Sequence, residues 1–415
     1  MTPSANIPPF RRLLWLLVAT DFCRGIGMFM VLPTTTVPAF LAARGASPLV
    51  IGLTATLMVG LMLLLQLLSR AVMDRFQRRK RALIIIHLTA VTPYALIAAA
   101  DWLLPGHPRA VMILTILLLT GSQTMLGLAI PAWLDMVARV IPLEWRGRYF
   151  GLASGGSALG GIIGGTLLLG MNHWLGPAVF APAFLAAAGF LALSMVAFAV
   201  APVPEAVFVH PAEPLRAALR KAVAACHVRT DFGRLVVSFC AFLFAGAVIP
   251  FFTLYATDPV RGLGLPANIF SRMTLWQALG GAVGALALGR MVDRHGPRWP
   301  WLMATLIIPL VVLAFAVWPQ PAVVVAASLM VGVLTVHWSV SAPALLELSP
   351  PGDKSGYIAM ANLAGFLPAM AGPLVMGAVI QQRSYHAAFV IAALAGLLAA
   401  GFALAIRDRA APEPV

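Results

Sequence analysis

Residues 177–200 read PAVFAPAFLAAAGFLALSMVAFAV, a run of 24 residues that contains no charged side chain. Because an α-helix rises 1.5 Å per residue, about 20 apolar residues are enough to cross the hydrocarbon core of a bilayer. The run is too long for a barrel strand, and a lipid-facing backbone must satisfy its own hydrogen bonds. This stretch therefore predicts a membrane-spanning helix.

The same character extends over the whole chain of 415 residues, which is 61% hydrophobic and 10% charged, with a mean hydropathy of +0.93. A soluble protein of this length could not bury so much apolar surface. We predict an all-α polytopic membrane protein with twelve spans, numbered here in chain order. Their predicted bounds are 13–41, 50–69, 82–104, 110–135, 148–170, 177–200, 234–257, 266–289, 299–318, 321–345, 356–380 and 386–406.

The positive charges lie mainly on one side of this arrangement. The termini and the even-numbered gaps, together with Arg148 and Arg234 at the adjoining ends of spans 5 and 7, hold 22 of the 28 Lys and Arg residues. The others are Arg44, Arg109, Arg261 and Arg383 in the odd-numbered gaps, and Arg24 and Arg272 inside spans. Because cytoplasmic loops are enriched in these residues, both termini are predicted to be cytoplasmic, in a plasma membrane or bacterial inner membrane. Topology thus explains the net charge of +14, and nucleic acid is not an expected partner.

Three paired features repeat in the same order along the chain. Residues 74–79 (DRFQRR) follow span 2 and residues 289–298 (GRMVDRHGPR) follow span 8. Residues 131–135 (PAWLD) end span 4, and residues 343–347 (PALLE) end span 10. Spans 5 and 11 both open with two glycines that have eight residues between them. Such repetition is typical of transporters built from two six-span halves.

The only long gap separates these halves. It begins with a Pro-rich stretch and then carries basic residues among alanines and leucines, which favours a short amphipathic helix on the cytoplasmic surface. The predicted domains are a first bundle over 1–200, a cytoplasmic linker over 201–233 and a second bundle over 234–415.

The doubled loop resembles the hallmark of the major facilitator superfamily, G-x-x-x-D-R-x-G-R-R between spans 2 and 3. In the first copy two glycines are replaced, by Arg70 and Gln77. The matching residues are Asp74, Arg75, Arg78 and Arg79 in the first copy and Gly289, Asp293, Arg294, Gly296 and Arg298 in the second. The resemblance covers the whole chain. It implies a transporter, not an enzyme, built from two pseudo-symmetric six-helix bundles.

These loops also suggest a conformational latch, because a carboxylate is stabilised beside a helix N-terminus. Asp74 would face the start of span 11 and Asp293 the start of span 5. The predicted ion pairs join Arg75 or Arg79 to Asp135, and Arg294 or Arg298 to Glu347. The alternative is that these charges only set the orientation of the chain and are solvated.

Span 5 is similar to the pattern G-x8-G-x3-G-P-x2-G-G of drug–proton antiporters in the same superfamily. The corresponding residues are Gly147, Gly156, Gly160, Gly161 in place of the proline, Gly164 and Gly165. This similarity implies proton-coupled efflux by antiport, but small residues also let helices pack closely in any membrane protein. Span 4 lacks the arginine usual in that group, and Pro33 and Pro38 in span 1 are further apart than its proline pair.

The most specific functional signal is charge inside span 1. Asp21 and Arg24 are three residues apart and share a helix face with Met28. A single charge in the middle of a span costs about 2.5–3.5 kcal/mol on insertion scales, so such residues are usually paired or functional. Two interpretations stay open, a structural ion pair or a cavity-facing pair in which Asp21 takes a proton and Arg24 holds an anionic group.

Further polar candidates for substrate or proton coupling are scattered over other spans. They are Gln123, Tyr255, Gln277, His337, Trp338 and Asn362. His337 could relay protons, although a lone buried histidine is more often only hydrogen-bonded. His87 and the three cysteines are interpreted as structural.

The sequence thus predicts a proton-coupled transporter that exports a small and largely apolar or weakly charged solute. The alternatives are a proton-coupled importer of a metabolite, siderophore or cell-wall fragment, and a receptor or scaffold that transports nothing. The expected partners are the solute, a proton and the bilayer, with the protein as a monomer. No cofactor or metal is expected, and no P-loop is present to support ATP-driven transport.

Overall fold

The computed structural model describes residues 8–73, 75–203, 230–334, 337–349 and 354–406. The described chain is helical and contains no strand. The helices of the first half are Pro8–Met30, Thr36–Ala42, Pro48–Met73, Arg79–Leu103, Pro108–Val140, Leu143–Leu175 and Phe180–Val200. Those of the second half are Asp231–Gly246, Ile249–Thr257, Ile269–His295, Arg298–Val317, Pro321–Leu334, Trp338–Leu348, Lys354–Gln382 and Tyr385–Leu404.

These helices correspond to the twelve predicted spans. Among the described residues, ten stretches are long and apolar enough to cross a membrane, and one of them, Arg148–Val200, contains both span 5 and span 6. Span 10 is the shorter apolar helix Pro321–Leu334 followed by Trp338–Leu348. The predicted fold class is therefore confirmed. The linker predicted over 201–233 lies almost wholly outside the described residues.

Spans 1 and 7 differ from the prediction because each is two helices and not one. In span 1 the first helix ends at Met30 and the second begins at Thr36. Pro33 lies in this break, where its ring fixes φ and its nitrogen cannot donate a helical hydrogen bond. Span 7 is interrupted between Gly246 and Ile249. Apolar composition predicted the crossing but did not reveal these breaks.

Span 1 begins, and span 12 ends, at one end of the molecule, which we call the termini face. The loops after the odd-numbered spans lie at the opposite end, the distal face. Local signals set helix ends at both faces. The hydroxyl of Thr230 accepts a hydrogen bond from the backbone N–H of Gly233 at the start of span 7, and Ser384 caps span 12 through the N–H of Ala387.

Glycines bring span 5 against span 1 within the first bundle. A Cβ added to Gly160 would lie 2.2 Å from the carbonyl oxygen of Phe22, and one at Gly164 would lie 2.3 Å from that of Ile26. Gly156 faces Val18, and Gly161 faces the ring of Phe29. The two backbones are therefore in contact, and a larger residue on this face of span 5 would separate them.

The two bundles meet most closely in the distal half of the molecule. A Cβ at Gly165 of span 5 would lie 2.9 Å from Cα of Leu275 in span 8. Spans 2 and 11 approach in the same way, since a Cβ at Gly52 would lie 2.3 Å from the carbonyl oxygen of Pro373. Thr56 donates to the carbonyl of Met370 across this contact, at 2.6 Å.

Hydroxyl and amide groups complete the distal contact, and we call this set the distal seam. Thr34 donates to Oε1 of Gln277 at 2.7 Å, and the hydroxyls of Thr35 and Thr274 are 2.5 Å apart. Thr253 of span 7 donates to the carbonyl oxygen of Thr34 at 3.2 Å. Elsewhere in the seam, the side-chain amide of Asn172 donates to Ser271 and to the carbonyl of Asn268. Polar groups from both bundles therefore satisfy one another across the distal half.

Candidate functional site

A central cavity of about 610 Å³ lies in the half of the molecule nearer the termini face. Spans 1, 3, 4, 5 and 6 form its walls, and the described part of the second bundle contributes only Ala278 and Gly281 of span 8. Most of the lining is apolar. The larger apolar and aromatic side chains are Met28, Phe29, Leu32, Tyr94, Leu126, Ile130, Trp133, Leu134, Phe150, Leu191 and Met195.

The ionisable side chains of this cavity are concentrated around Asp21. Nη2 and Nε of Arg24 both donate to Oδ1 of Asp21, at 3.0 and 3.3 Å. The two partners differ in exposure, since the Asp21 side chain is 10% exposed and the Arg24 side chain is 51% exposed. Both residues therefore line the cavity, with the carboxylate more buried than the guanidinium.

Tyr149 of span 5 is the second partner of Asp21. Its hydroxyl lies 3.5 Å from Oδ2, at the limit of a hydrogen bond, and its ring is almost completely buried. Tyr149 follows Gly147 by two residues near the start of span 5. The tight packing of spans 5 and 1 holds this ring against the carboxylate, so the glycine pattern acts indirectly on the site.

His87 of span 3 lines the same cavity, although the sequence suggested only a structural role. Its Nδ1 lies 2.8 Å from the carbonyl oxygen of Leu83, one helical turn earlier. The ring meets Trp133 of span 4 edge to face, with 6.3 Å between centroids. Because Nδ1 is directed at its own helix, Nε2 is the nitrogen available to the cavity.

Met28 also lines this cavity, whereas the other predicted coupling residues whose side chains are described lie apart from it. Gln123 is buried in span 4 but is not part of the lining. Gln277 belongs to the distal seam. Asn362 is exposed on span 11. The side chain of Trp338 lies outside the described part of the structure.

Tyr255 and His337 are both packed in the second bundle. Tyr255 belongs to an aromatic cluster in which its ring centroid lies 5.1 Å from that of Phe389. Nδ1 of His337 lies 2.7 Å from the carbonyl oxygen of Leu334, and its ring packs 5.3 Å from that of Phe242. The structure places neither residue in the wall of the central cavity.

The predicted latch residues lie at the termini face, where the structure describes only some of them. Arg79 approaches Asp135 with 3.9 Å between Nη1 and Oδ2, and Arg139 donates to both oxygens of Asp135 at 3.1 Å. Arg298 donates to the carbonyl oxygen of Leu404 at 2.9 Å. Arg75, Arg78, Arg294 and Glu347 are exposed. Asp74 and the side chain of Asp293 lie outside the described part.

A second cavity, of about 990 Å³, lies at the distal face between the two bundles. Arg44 forms an ion pair with Asp101 in its wall and stacks on the ring of Phe40, 3.5 Å from the centroid. Asp258 accepts hydrogen bonds there from the backbone N–H groups of Val260 and Arg261, both at 2.9 Å. Burial alone would raise the pKa of Asp258, but these hydrogen bonds hold it below its ordinary value.

Sequence reasoning missed Tyr149, His87 and Trp133 as members of the site. His87 carried a usable signal, because it is an ionisable residue inside a span. Tyr149 and Trp133 carried none, since aromatic residues are common near the ends of spans. In the described chain, no group of three or more His, Cys, Asp or Glu residues is arranged to hold a metal ion.

Comparison with known proteins agrees with this architecture. The family model described as Major Facilitator Superfamily matches residues 17–271 and again 234–415. No curated protein matches the chain.

Solved structures share the fold at low sequence identity. The nucleoside transporter NupG aligns with a TM-score of 0.65 at 13% identity, over 96% of this chain and 99% of that one. A point mutant of NupG gives 0.71 at 13% identity, over 95% and 100%. A bacterial homologue of the human lysosomal transporter Spinster, inward-facing and occupied, gives 0.61 at 14% identity, over 96% of each chain.

Proposed function

The chain belongs to the major facilitator superfamily, and from this premise we propose that it moves a small organic solute through the central cavity by alternating access, coupled to proton movement. It is a multi-pass membrane transporter and not an enzyme. The observation that carries the proposal is the buried carboxylate of Asp21 in the cavity wall, paired with the half-exposed guanidinium of Arg24.

The distribution of Lys and Arg supports an orientation in which the termini face is cytoplasmic. With that orientation, the distal seam closes the outer side of the transporter. The central cavity, which lies nearer the termini face, then belongs to an inward-facing state. We propose a plasma or bacterial inner membrane as the location and a monomer as the functional unit, divided at the linker 201–233.

Transport requires the bundles to separate at the distal seam and to approach each other at the termini face. We propose that the latch residues hold the termini face closed in that second state. Arg79, Asp135 and Arg139 already cluster there within the first bundle. Asp74 and Asp293 would add contacts between this face and the starts of spans 11 and 5.

The walls of the central cavity support a solute that is largely apolar or weakly charged. A volume of about 610 Å³ is in the ordinary range for sites that enclose small organic molecules. A sugar would need many hydrogen-bonding side chains around it, and this lining has few. The nucleoside transporter with the same fold is too distant in sequence for its substrate to be carried over.

Two directions of transport follow from different observations. The glycine pattern of span 5 favours efflux by proton antiport, as its resemblance to drug–proton antiporters implies. The described glycines of that pattern, however, are used to pack span 5 against spans 1 and 8, which either direction requires. Import by proton symport is favoured by the exposed guanidinium of Arg24, because a cation beside Asp21 disfavours a cationic drug.

The test is a measurement of solute-driven proton movement in proteoliposomes that contain a pH-sensitive dye. With the wild-type protein, a transported solute is expected to change the internal pH, and the sign of the change gives symport or antiport. The variant Asp21→Asn is expected to bind solute but to lose the pH change by a factor of ten or more. Arg272→Gln, at an exposed arginine outside the cavity, is the matched control. Equal pH changes in wild-type and Asp21→Asn vesicles would refute the coupling.

A further inference from the structure

We propose that the transported solute is an organic monocarboxylate, held through its carboxylate by Arg24, and that it occupies the cavity together with a proton on Asp21. The inference rests on the proposed function, because it names the substrate class of the same cavity. It requires one anion and one proton to cross together, so it selects symport over antiport.

Arg24 has hydrogen-bonding capacity that Asp21 does not use. A guanidinium has five N–H donors in a planar fork. Nε and Nη2 are both directed at a single oxygen of Asp21, and the described residues give Nη1 no partner. With half of this side chain exposed in the cavity, the free edge of the fork is available to a second carboxylate.

Asp21 and Arg24 together set the net charge of the cavity. With Asp21 ionised, it neutralises Arg24, and the empty cavity carries no net charge. A bound carboxylate alone would make the cavity negative, and a proton on Asp21 alone would make it positive. Net charge within a membrane is expensive. Carboxylate and proton bound together restore neutrality, so the two neutral states are the empty cavity and the doubly occupied one.

Three ionisable side chains contact Asp21 or line the same cavity. Arg24 lies on the same helix, Tyr149 faces it from span 5, and His87 lines the cavity from span 3. Tyr149 holds Oδ2, the oxygen that Arg24 does not contact. When Asp21 takes the proton, its attraction for Arg24 falls, and the guanidinium becomes free to bind the carboxylate of the solute.

The cavity beyond the guanidinium of Arg24 is lined by apolar and aromatic side chains. Met28 follows Arg24 by one helical turn, and Phe29, Tyr94 and Trp133 line the same space. These side chains would enclose an alkyl or aromatic body by burying its apolar surface. A dicarboxylate would lack a second cationic partner, because among the described lining residues Arg24 is the one lysine or arginine.

The experiment compares binding of acids with their uncharged amides to the purified full-length protein. The probes are benzoate with benzamide, hexanoate with hexanamide, and indole-3-acetate with indole-3-acetamide, each measured by calorimetry. At least one acid is expected to bind tenfold or more tightly than its amide. The uncharged amide cannot form the charge-assisted pair of hydrogen bonds that a carboxylate forms with the guanidinium of Arg24. If every acid binds no better than its amide, the proposal is overturned.

Calorimetry in two buffers of different ionisation enthalpy counts the protons bound with the acid. About one proton taken up per acid is expected at neutral pH, and none in Asp21→Asn. Uptake of no proton by the wild type, or release of one, would overturn co-binding.

Arg24→Gln is expected to lose the preference for the acid, whereas Arg272→Gln keeps it. Arg24→Gln leaves Asp21 buried without its partner, which could destabilise the protein. The double variant D21N/R24Q removes both charges and avoids this problem. It is also expected to lose the preference for the acid. If the acids fail while solute-driven pH changes still depend on Asp21, this proposal falls and the proposed function stands.

Discussion

Spans 1 and 7 occupy equivalent places in the two bundles and share a design. Each is a long helix followed by a short one, Thr36–Ala42 in span 1 and Ile249–Thr257 in span 7. Both contribute hydroxyls to the distal seam, through Thr34 and Thr35 on one side and Thr253 on the other.

Their central polar groups are used differently. In span 1, Asp21 and Arg24 line the cavity. In span 7, Ser238 is turned into its own bundle, where it donates to the carbonyl of Ala399 in span 12 at 2.7 Å. Ser238 also accepts a hydrogen bond from the indole N–H of Trp301 in span 9, at 2.9 Å.

This difference shows how pseudo-symmetry can separate motion from chemistry. The shared features of spans 1 and 7, the helix breaks and the distal hydroxyls, belong to the contact that would open and close in the proposed transport cycle. The unshared features give the first bundle an ionisable cavity wall and the second bundle a hydrogen-bonded core. The second bundle would then act mainly as the surface against which the first one moves.

The largest expected effect concerns the glycines that pack helices together, one in each bundle. Gly160→Ala would place a Cβ 2.2 Å from the carbonyl oxygen of Phe22, so spans 5 and 1 must move apart. We expect about 2–4 kcal/mol of destabilisation, because overpacking against backbone cannot relax by rotation of a side chain. Gly365→Ala in span 11 meets the side-chain ends of Leu243 and Phe239 in span 7 instead, and about 1 kcal/mol is expected.

Thermal unfolding in detergent measures both glycine variants. Gly155→Ala, which has open space around it, is the matched control and is expected to unfold like the wild type. Equal losses for Gly160→Ala and Gly365→Ala would show that the span 5–span 1 contact and the span 11–span 7 contact are equally rigid.

The next effect tests the core role of span 7. Ser238→Ala would leave the indole N–H of Trp301 without a partner at a site that is fully buried. The expected loss of stability is about 1–2 kcal/mol, with proton coupling unchanged. Ser328→Ala is the control, since that hydroxyl only bonds the carbonyl of Val324 in its own helix. A changed proton-to-solute ratio in Ser238→Ala would show that span 7 takes part in proton coupling.

A smaller effect is expected at the distal seam. Thr35→Val removes the hydroxyl pair with Thr274 and should shift the population toward the distally open state by about 1 kcal/mol, or roughly fivefold. The readout is the rate at which an impermeant maleimide added on the distal side labels Met28→Cys in a background without the native cysteines. Thr54→Val, whose hydroxyl bonds the carbonyl of Val50 in its own helix, is the control. An unchanged rate would show that the seam does not hold the distal face closed.

The smallest effect concerns the loop after span 7. The pKa of Asp258 is held below its ordinary value, so its contribution to stability is present above about pH 4 and is lost as the pH falls through the depressed pKa. The group is only partly buried, so solvent screens its interactions, and a shift of about one degree or less in the unfolding temperature is expected. Asp258→Asn should show a correspondingly shallower decrease below pH 4. An identical decrease in both proteins would mean that Asp258 contributes nothing.

The sequence by itself determined the crossing segments, the repeat and the charges of span 1. Apolar runs such as 177–200 have one stable arrangement in lipid, because their backbone must be satisfied within a helix. The spacing of Asp21 and Arg24 fixed their common face, since three residues make nearly one helical turn.

Only the tertiary structure decided which distant residues share the cavity. Tyr149 meets Asp21 through the packing of span 5, and His87 lines the same cavity through the packing of span 3. Gln277 and Tyr255 are placed elsewhere by the same packing. The physical reason is that every span is apolar on most sides. The direction that a helix face takes in the bundle is therefore set by close contacts such as Gly160 against Phe22, which composition does not encode.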